Sequence, residues 1–186
     1  MNNKYQKFYS NSGMSSSVWG KACWTFLFCS VMGRYPIKID NNNLLHLELK
    51  KDFKALLYSL SNIMPCIFCR DSFVIFLKKF PIERYLAGRI ELMYWLYIIK
   101  DQVNKKLINQ ENLIYQQKKI KITNLFNTGI ITKKQQKYLK NKCKKQTFST
   151  IKSPSFMHVL NYYEKYRAKC SNKTKTCALP NKRRKQ

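Results

Sequence analysis

Between Leu44 and Ile63 the apolar residues Leu45, Leu49, Phe53, Leu56, Leu57, Leu60 and Ile63 recur at intervals of three and four. That spacing lines one face of an α-helix and is incompatible with the period of two in a half-buried strand. A helix with one apolar face needs other elements to cover it, and the rest of the chain offers mainly helices. Val18 to Met32 is apolar and aromatic, with Ser15, Ser16 and Ser17 ahead of it as candidate N-caps. Gly33-Arg34-Tyr35-Pro36 ends it, because proline cannot continue the hydrogen-bond ladder. Asn41-Asn42-Asn43 is placed to cap the second helix. Pro65 is placed to open a third, where its missing N–H costs nothing, with Cys66, Cys69, Phe73, Phe76 and Leu77 on one side and Phe80-Pro81 as its stop. A fourth runs from Glu83 or Gly88 to Leu107 through the dense apolar stretch Leu92 to Ile99. Phe156 to Arg167, after Ser153-Pro154-Ser155, reads as a short aromatic fifth. Five Gly and five Pro are too few for a turn-dense β sandwich or barrel. The expectation is an all-α fold: a four-helix bundle with a short fifth helix.

The chain divides unevenly around that bundle. Residues 1–16, rich in Asn and Ser, and the basic tail 169–186 are expected to be flexible. Residues 108–150 are rich in Lys, Gln and Asn with thin apolar support. They read as a basic insertion, helical in part from Lys133 to Lys144, within a domain spanning 17–168. The formal net charge of +27 comes from 36 Lys and Arg against 9 Asp and Glu and is spread along the chain. It fits an anionic partner or a Lys- and Asn-rich compositional bias, and in either case favours thiolates and bound phosphates. No run approaches the ~18 apolar residues of a membrane span, and the polar N-terminus lacks a hydrophobic signal core. With no export signal, seven cysteines point to redox chemistry or metal before a structural disulfide framework.

The sharpest local signal is Met64-Pro65-Cys66-Ile67-Phe68-Cys69-Arg70. Thiols three residues apart at a helix start lie on one face, close enough for an exchangeable disulfide. The helix N-terminus and Arg70 favour the thiolate, which is the reactive form. Three other readings compete. A zinc site needs a second ligand pair, and Cys170 and Cys177 are spaced more widely than the usual knuckle, while His46 and His158 stand alone. A thioredoxin-like site needs a strand before the motif, where this chain has helical spacing. Two inert core thiols are the plainest reading.

Taken in order, Trp19-Gly20-Lys21-Ala22-Cys23-Trp24, Tyr35-Pro36, Pro65-Cys66-x-x-Cys69-Arg70 and Val103-Asn104-x-x-Leu107 resemble the Erv/ALR family of flavin-linked sulfhydryl oxidases. The resemblance covers about residues 18–108 and, more weakly, 154–178. There Val159 to Cys170 looks like the last helix of members encoded by large DNA viruses. It implies FAD at one mouth of the bundle and oxidation of protein dithiols to disulfides, with O2 reduced to H2O2. By that likeness Cys69 would face the flavin as the charge-transfer thiolate and Cys66 would exchange with the client. The division suits the chemistry, since exchange needs access and electron transfer needs a thiolate held at the ring. The implied cofactor contacts are Gly20, Lys21, Trp24, Phe28, Tyr35, Cys69, Lys100, Asp101, Val103, Asn104, Leu107, Tyr162 and Tyr166. Phe28 replaces a usual His, Lys100-Asp101 a usual His-Asn, and Tyr97 a usual structural cysteine. Lys100 could meet the FAD pyrophosphate by charge.

The resemblance also implies a second, shuttle dithiol, for which Cys170 and Cys177 are candidates; a small structural disulfide is the other reading. Cys23 and Cys29, six apart on a helix, point to different faces and read as buried thiols rather than a pair. Cys143 lies in the basic insertion. The expected partners are a protein dithiol, thioredoxin-like by family analogy, molecular oxygen and a second copy of the chain. No metal and no sequence-specific nucleic acid are expected. The expected setting is a host cytoplasm, at a virus factory, or a virion. The competing function classes are a basic nucleic-acid-binding module, which lacks a recognition element, and a zinc-stabilised helical module.

Overall fold

The computed structural model describes residues 13–146, 152–171 and 176–178. The chain forms α1 (Ser16–Arg34), α2 (Leu44–Ile63), α3 (Ile67–Lys79), a 3₁₀ turn (Ile82–Tyr85), α4 (Arg89–Asn127), α5 (Lys133–Gln146), α6 (Phe156–Glu164) and two short strands, β1 (Lys169–Ser171) and β2 (Thr176–Ala178). Two compact units result, one of residues 1–99 and 154–186, the other of residues 100–153. No helix among the described residues is long and apolar enough to cross a membrane.

The first unit is the expected bundle. Its core joins Leu27, Phe28 and Val31 of α1, Phe53, Leu57 and Leu60 of α2, Phe73 of α3, Leu92, Trp95, Leu96 and Ile99 of α4, and Tyr163 of α6. The α2 positions are those of the apolar stripe, so helical periodicity translates directly into burial. Asn43 caps α2 by accepting the His46 N–H, and Ser155 caps α6 by accepting the His158 N–H. α1 ends at Arg34, ahead of Pro36, as the proline requires.

Two ties fix α3, α4 and the segment after α1 within this unit. Trp95 Nε1 donates to the Phe80 carbonyl at 2.8 Å, which fixes the end of α3 to α4. Ile37–Ile39 pairs with Ala87–Arg89 through Ile39 N–H to Ala87 O and Arg89 N–H to Ile37 O. Gly88 sits in that pairing, where a Cβ would overlap the Ile37 carbonyl.

The second unit departs from the sequence expectation. α4 does not end at Leu107; it continues for twenty residues to Asn127. Ile108, Tyr115 and the buried Ile122 recur every seven residues along the extension, a sparse helical stripe. The helix stops in a Schellman motif: Gly129 has φ +73°, with Ile130 N–H to Leu125 O and Gly129 N–H to Phe126 O. α5 opens with a capping box, in which Gln135 N–H donates to Thr132 Oγ1 and Thr132 N–H to Gln135 Oε1. α5, Lys133–Gln146, contains the helical segment expected inside the insertion.

The stretch expected to be a flexible tail forms a short antiparallel ladder where it is described. Lys169 lies opposite Ala178, Cys170 opposite Cys177 and Ser171 opposite Thr176. Residues 1–12 and 179–186, part of the expected flexible ends, lie outside the described residues.

Candidate active site

The dithiol sits where α2 gives way to α3. Cys66 and Cys69 are joined as a disulfide, with Cα atoms 5.2 Å apart. α3 begins two residues later than the sequence suggested. Cys66, not Pro65, is the boundary residue, and its Sγ accepts the Cys69 N–H at 3.3 Å. The sulfur therefore takes the place of a capping oxygen, and Pro65 stands outside the helix. Any negative charge on Cys66 would face the positive end of α3. Both cysteines are half-buried, while Ile67 and Phe68 between them are exposed, Phe68 to 76%.

The loop ahead of α3 is held from three sides. Arg70 Nη1 donates to the Met64 carbonyl. The Cys66 carbonyl accepts from the N–H groups of Cys69 and Arg70. The Pro65 carbonyl accepts from Met14 N–H at 2.6 Å, a contact from the far N-terminal side of α1 that nothing in the sequence signalled. Arg70 thus braces the loop through a main-chain oxygen.

The residues implied as cofactor contacts fall into distinct environments. In the first unit, Gly20 and Trp24 are half-buried and Lys21 is exposed. Phe28 and Tyr35 have no exposed area. Phe28 stacks on Tyr163 with ring centroids 4.9 Å apart, and Tyr163 was not singled out in the sequence. Tyr35 packs edge-on to Phe53, and its hydroxyl donates to the Leu86 carbonyl at 2.9 Å. Burial first, and Glu91 second, push the Tyr35 phenol up to about 12. Tyr162 and Tyr166 form an exposed edge-to-face pair at 5.2 Å. Tyr97, at the position of the family's structural cysteine, donates its hydroxyl to Pro154 O at 3.0 Å and packs on Phe156, holding the lead-in to α6 by other means.

In the second unit, Lys100 is half-buried, and desolvation pushes its ammonium down. Asp101 pairs with Lys105 at 2.6 Å, and Asn104 donates to Ser153 Oγ at 2.9 Å. Val103 is half-buried and Leu107 is exposed.

Of the remaining cysteines, Cys23, Cys29 and Cys143 are free thiols. Burial raises the Cys23 thiol, whereas Cys29, expected to be buried, lies on the solvent side of α1 and is exposed. Among the described residues no cluster of three or more His, Cys, Asp and Glu is arranged to hold a metal.

For FAD the residue types of the first unit fit in part. Trp24, Tyr162 and Tyr166 retain ring surface for stacking. Phe28 and Tyr35 present no accessible ring face.

The model of the Erv1 / Alr family matches residues 21–127. The chain is 33% identical over 88 residues to the FAD-linked sulfhydryl oxidase ERV1 of Arabidopsis thaliana, spanning 47% of this chain and 41% of that protein. The chain thus covers well under half the length of this curated relative. A solved structure, the yeast Erv1 core, aligns with 57% of this chain and 80% of its own at 24% identity and a TM-score of 0.43.

Proposed function

Because this chain belongs to the Erv1 / Alr family, we propose that it is an FAD-linked thiol oxidase. In this reading it makes disulfides in protein dithiols and passes the electrons to O2, giving H2O2. The observation that carries the proposal is the Cys66–Cys69 disulfide at the start of α3, with the Cys66 sulfur accepting the Cys69 N–H.

A client thiolate attacks Cys66 Sγ, and Cys69 leaves as a thiolate. The client's second thiol then displaces Cys66, so the client becomes a disulfide and the pair becomes a dithiol. The N-terminus of α3 favours this by stabilising charge near the sulfurs. FAD, when bound, supplies the two-electron acceptor that returns the pair to the disulfide and hands the electrons to O2. Trp24, Tyr162 and Tyr166 are the aromatic residues of the first unit that would hold it. Cys69 is assigned the flavin side and Cys66 the client side. Phe28, packed against Trp24, and Tyr35 serve by building the core.

The same reading extends to several further features. Cys170 stands opposite Cys177 in the backbone register of β1 and β2, and of the two roles open to this pair the reading takes the structural disulfide. The protein acts as a homodimer on a thioredoxin-like client. Its setting is a host cytoplasm or virion, as the likeness of 159–170 to viral members suggests.

The test is oxygen uptake with dithiothreitol by the purified chain and its Cys66→Ser and Cys69→Ser variants. Uptake lost in both variants is expected. Uptake retained in either would remove that cysteine from the mechanism.

A further inference from the structure

We propose that Gly13 and Met14 form a strap occupying the main-chain position that a peptide client takes beside Cys66, so that they set the enzyme's preference between peptide and small dithiols. The proposal rests on the oxidase reading only in taking Cys66 as the sulfur that exchanges.

Three carbonyls precede α3, and they are held differently. Met64 O is held by Arg70 and Cys66 O by the helix itself, both local contacts. Pro65 O, adjacent to the exchanging cysteine, is held by the N–H of Met14, 51 residues earlier in the chain. The approach is close. A Cβ on Gly13 would lie 2.5 Å from Pro65 O and 3.7 Å from Cys66 Cα, and Gly13 has φ +76°. Only glycine meets both demands. Among the described residues the strap's other hydrogen bond runs from Trp19 Nε1 to Met14 O at 3.2 Å.

An extended peptide bringing a thiolate to Cys66 Sγ has N–H groups to place, and Pro65 O is the acceptor at hand. Taking it means displacing Met14. Beside the same point Ile63, Ile67 and Phe68 are exposed to 66%, 47% and 76%, an apolar border for the peptide's side chains. A small dithiol needs neither the acceptor nor the border. The strap therefore taxes peptide clients and leaves small ones alone, favouring clients whose flanking residues outcompete it.

The reaction to follow is opening of the Cys66–Cys69 disulfide, which needs no flavin. One reagent thiolate attacks Cys66, Cys69 leaves, and the reagent's second thiol closes its own disulfide. The two electrons arrive on the protein pair, and initial rates taken without air count them there and, where flavin is bound, also as bleached flavin. Full-length parent, Gly13→Ala, Met14→Pro and Met14→Ala would be mixed with dithiothreitol or with a reduced linear peptide carrying two cysteines among apolar residues. Acid quenching, maleimide labelling and mass analysis of the Cys66–Cys69 peptide give the rates. Gly13→Ala expels the strap by overlap, Met14→Pro deletes its donor, and Met14→Ala keeps it. Expected is a roughly two- to tenfold faster reaction with the peptide in the first two variants, the worth of one backbone hydrogen bond. Dithiothreitol rates should stay at the parent's, as should both rates in Met14→Ala. Equal acceleration of both reagents would make the strap a mere shield. Unchanged or slower peptide rates would make it irrelevant or a support for the loop. Either result overturns the proposal, and neither depends on whether the protein carries FAD.

Discussion

Replacing Tyr35 with Phe separates a core role from a cofactor role at one atom. The hydroxyl donates to Leu86 O at 2.9 Å across a contact 51 residues apart, with Tyr35 wholly buried. Removing it deprives a buried carbonyl of its donor, which costs about 1–3 kcal/mol, out of the ~5–15 kcal/mol that hold such a domain together. At about 4 °C per kcal/mol for a unit of this size, the melting temperature should fall by roughly 4–12 °C. The ring still packs on Phe53, so the helical signal in circular dichroism should be unchanged at room temperature. The pH dependence carries a second signature. The folded phenol is raised to about 12 while the unfolded one titrates near 10. Tyr35 therefore contributes stability that is complete below pH 10. Between about 10 and 12 the unfolded chain releases this proton and the folded chain does not, and the contribution is lost at up to about 1.4 kcal/mol per pH unit. The stability gap between parent and Tyr35→Phe, followed by urea unfolding, should narrow over that window. A melting temperature within a degree of the parent's, or a gap independent of pH from 9 to 12, would refute the assignment. FAD content unchanged in the variant is expected, since the hydroxyl is committed to the core.

Gly88→Ala should destabilise the first unit by more than a kilocalorie per mole, because the added methyl meets Ile37 O within a backbone pairing; calorimetry checks it. Thr132→Ala removes the capping box of α5 and should cost about 0.5–2 kcal/mol there. Faster amide hydrogen exchange confined to Lys133–Gln146 is the readout, and exchange spread over the first unit would contradict it. With limiting iodoacetamide at neutral pH, exposed Cys29 should be alkylated well before Cys23, whose thiol is buried and raised; mass analysis of the two peptides gives the order.

The bundle was legible because its apolar positions are dense. The α2 stripe, Asn43 as a cap and Pro36 as a stop each follow from one local rule, and packing did not override them. The continuation of α4 was not legible. Its inward residues come once in seven, and Lys and Gln between them suit a solvated helix as well as a coil. The helix start at the dithiol shifted because a sulfur can cap where an oxygen usually does, which a composition rule for N-caps omits. The β1–β2 pairing involves three residues a side and no alternating apolar pattern, so it left no signal. At the site, Cys66–Cys69 stood out by spacing, whereas Met14 and Gly13 reach Pro65 only through chain geometry. Tyr163 was passed over for its neighbours Tyr162 and Tyr166, since three near-consecutive tyrosines do not announce which one turns inward against Phe28.

The central claim is that electrons pass from a dithiol through Cys66–Cys69 to a flavin held by this chain. Its most direct measurement is the visible spectrum of the purified protein during anaerobic addition of dithiothreitol. A flavin absorbance band is expected that bleaches in the parent, returns on admitting air, and resists bleaching in Cys69→Ser. A protein that stays colourless with added FAD, or a band that bleaches equally fast in Cys69→Ser, would contradict it.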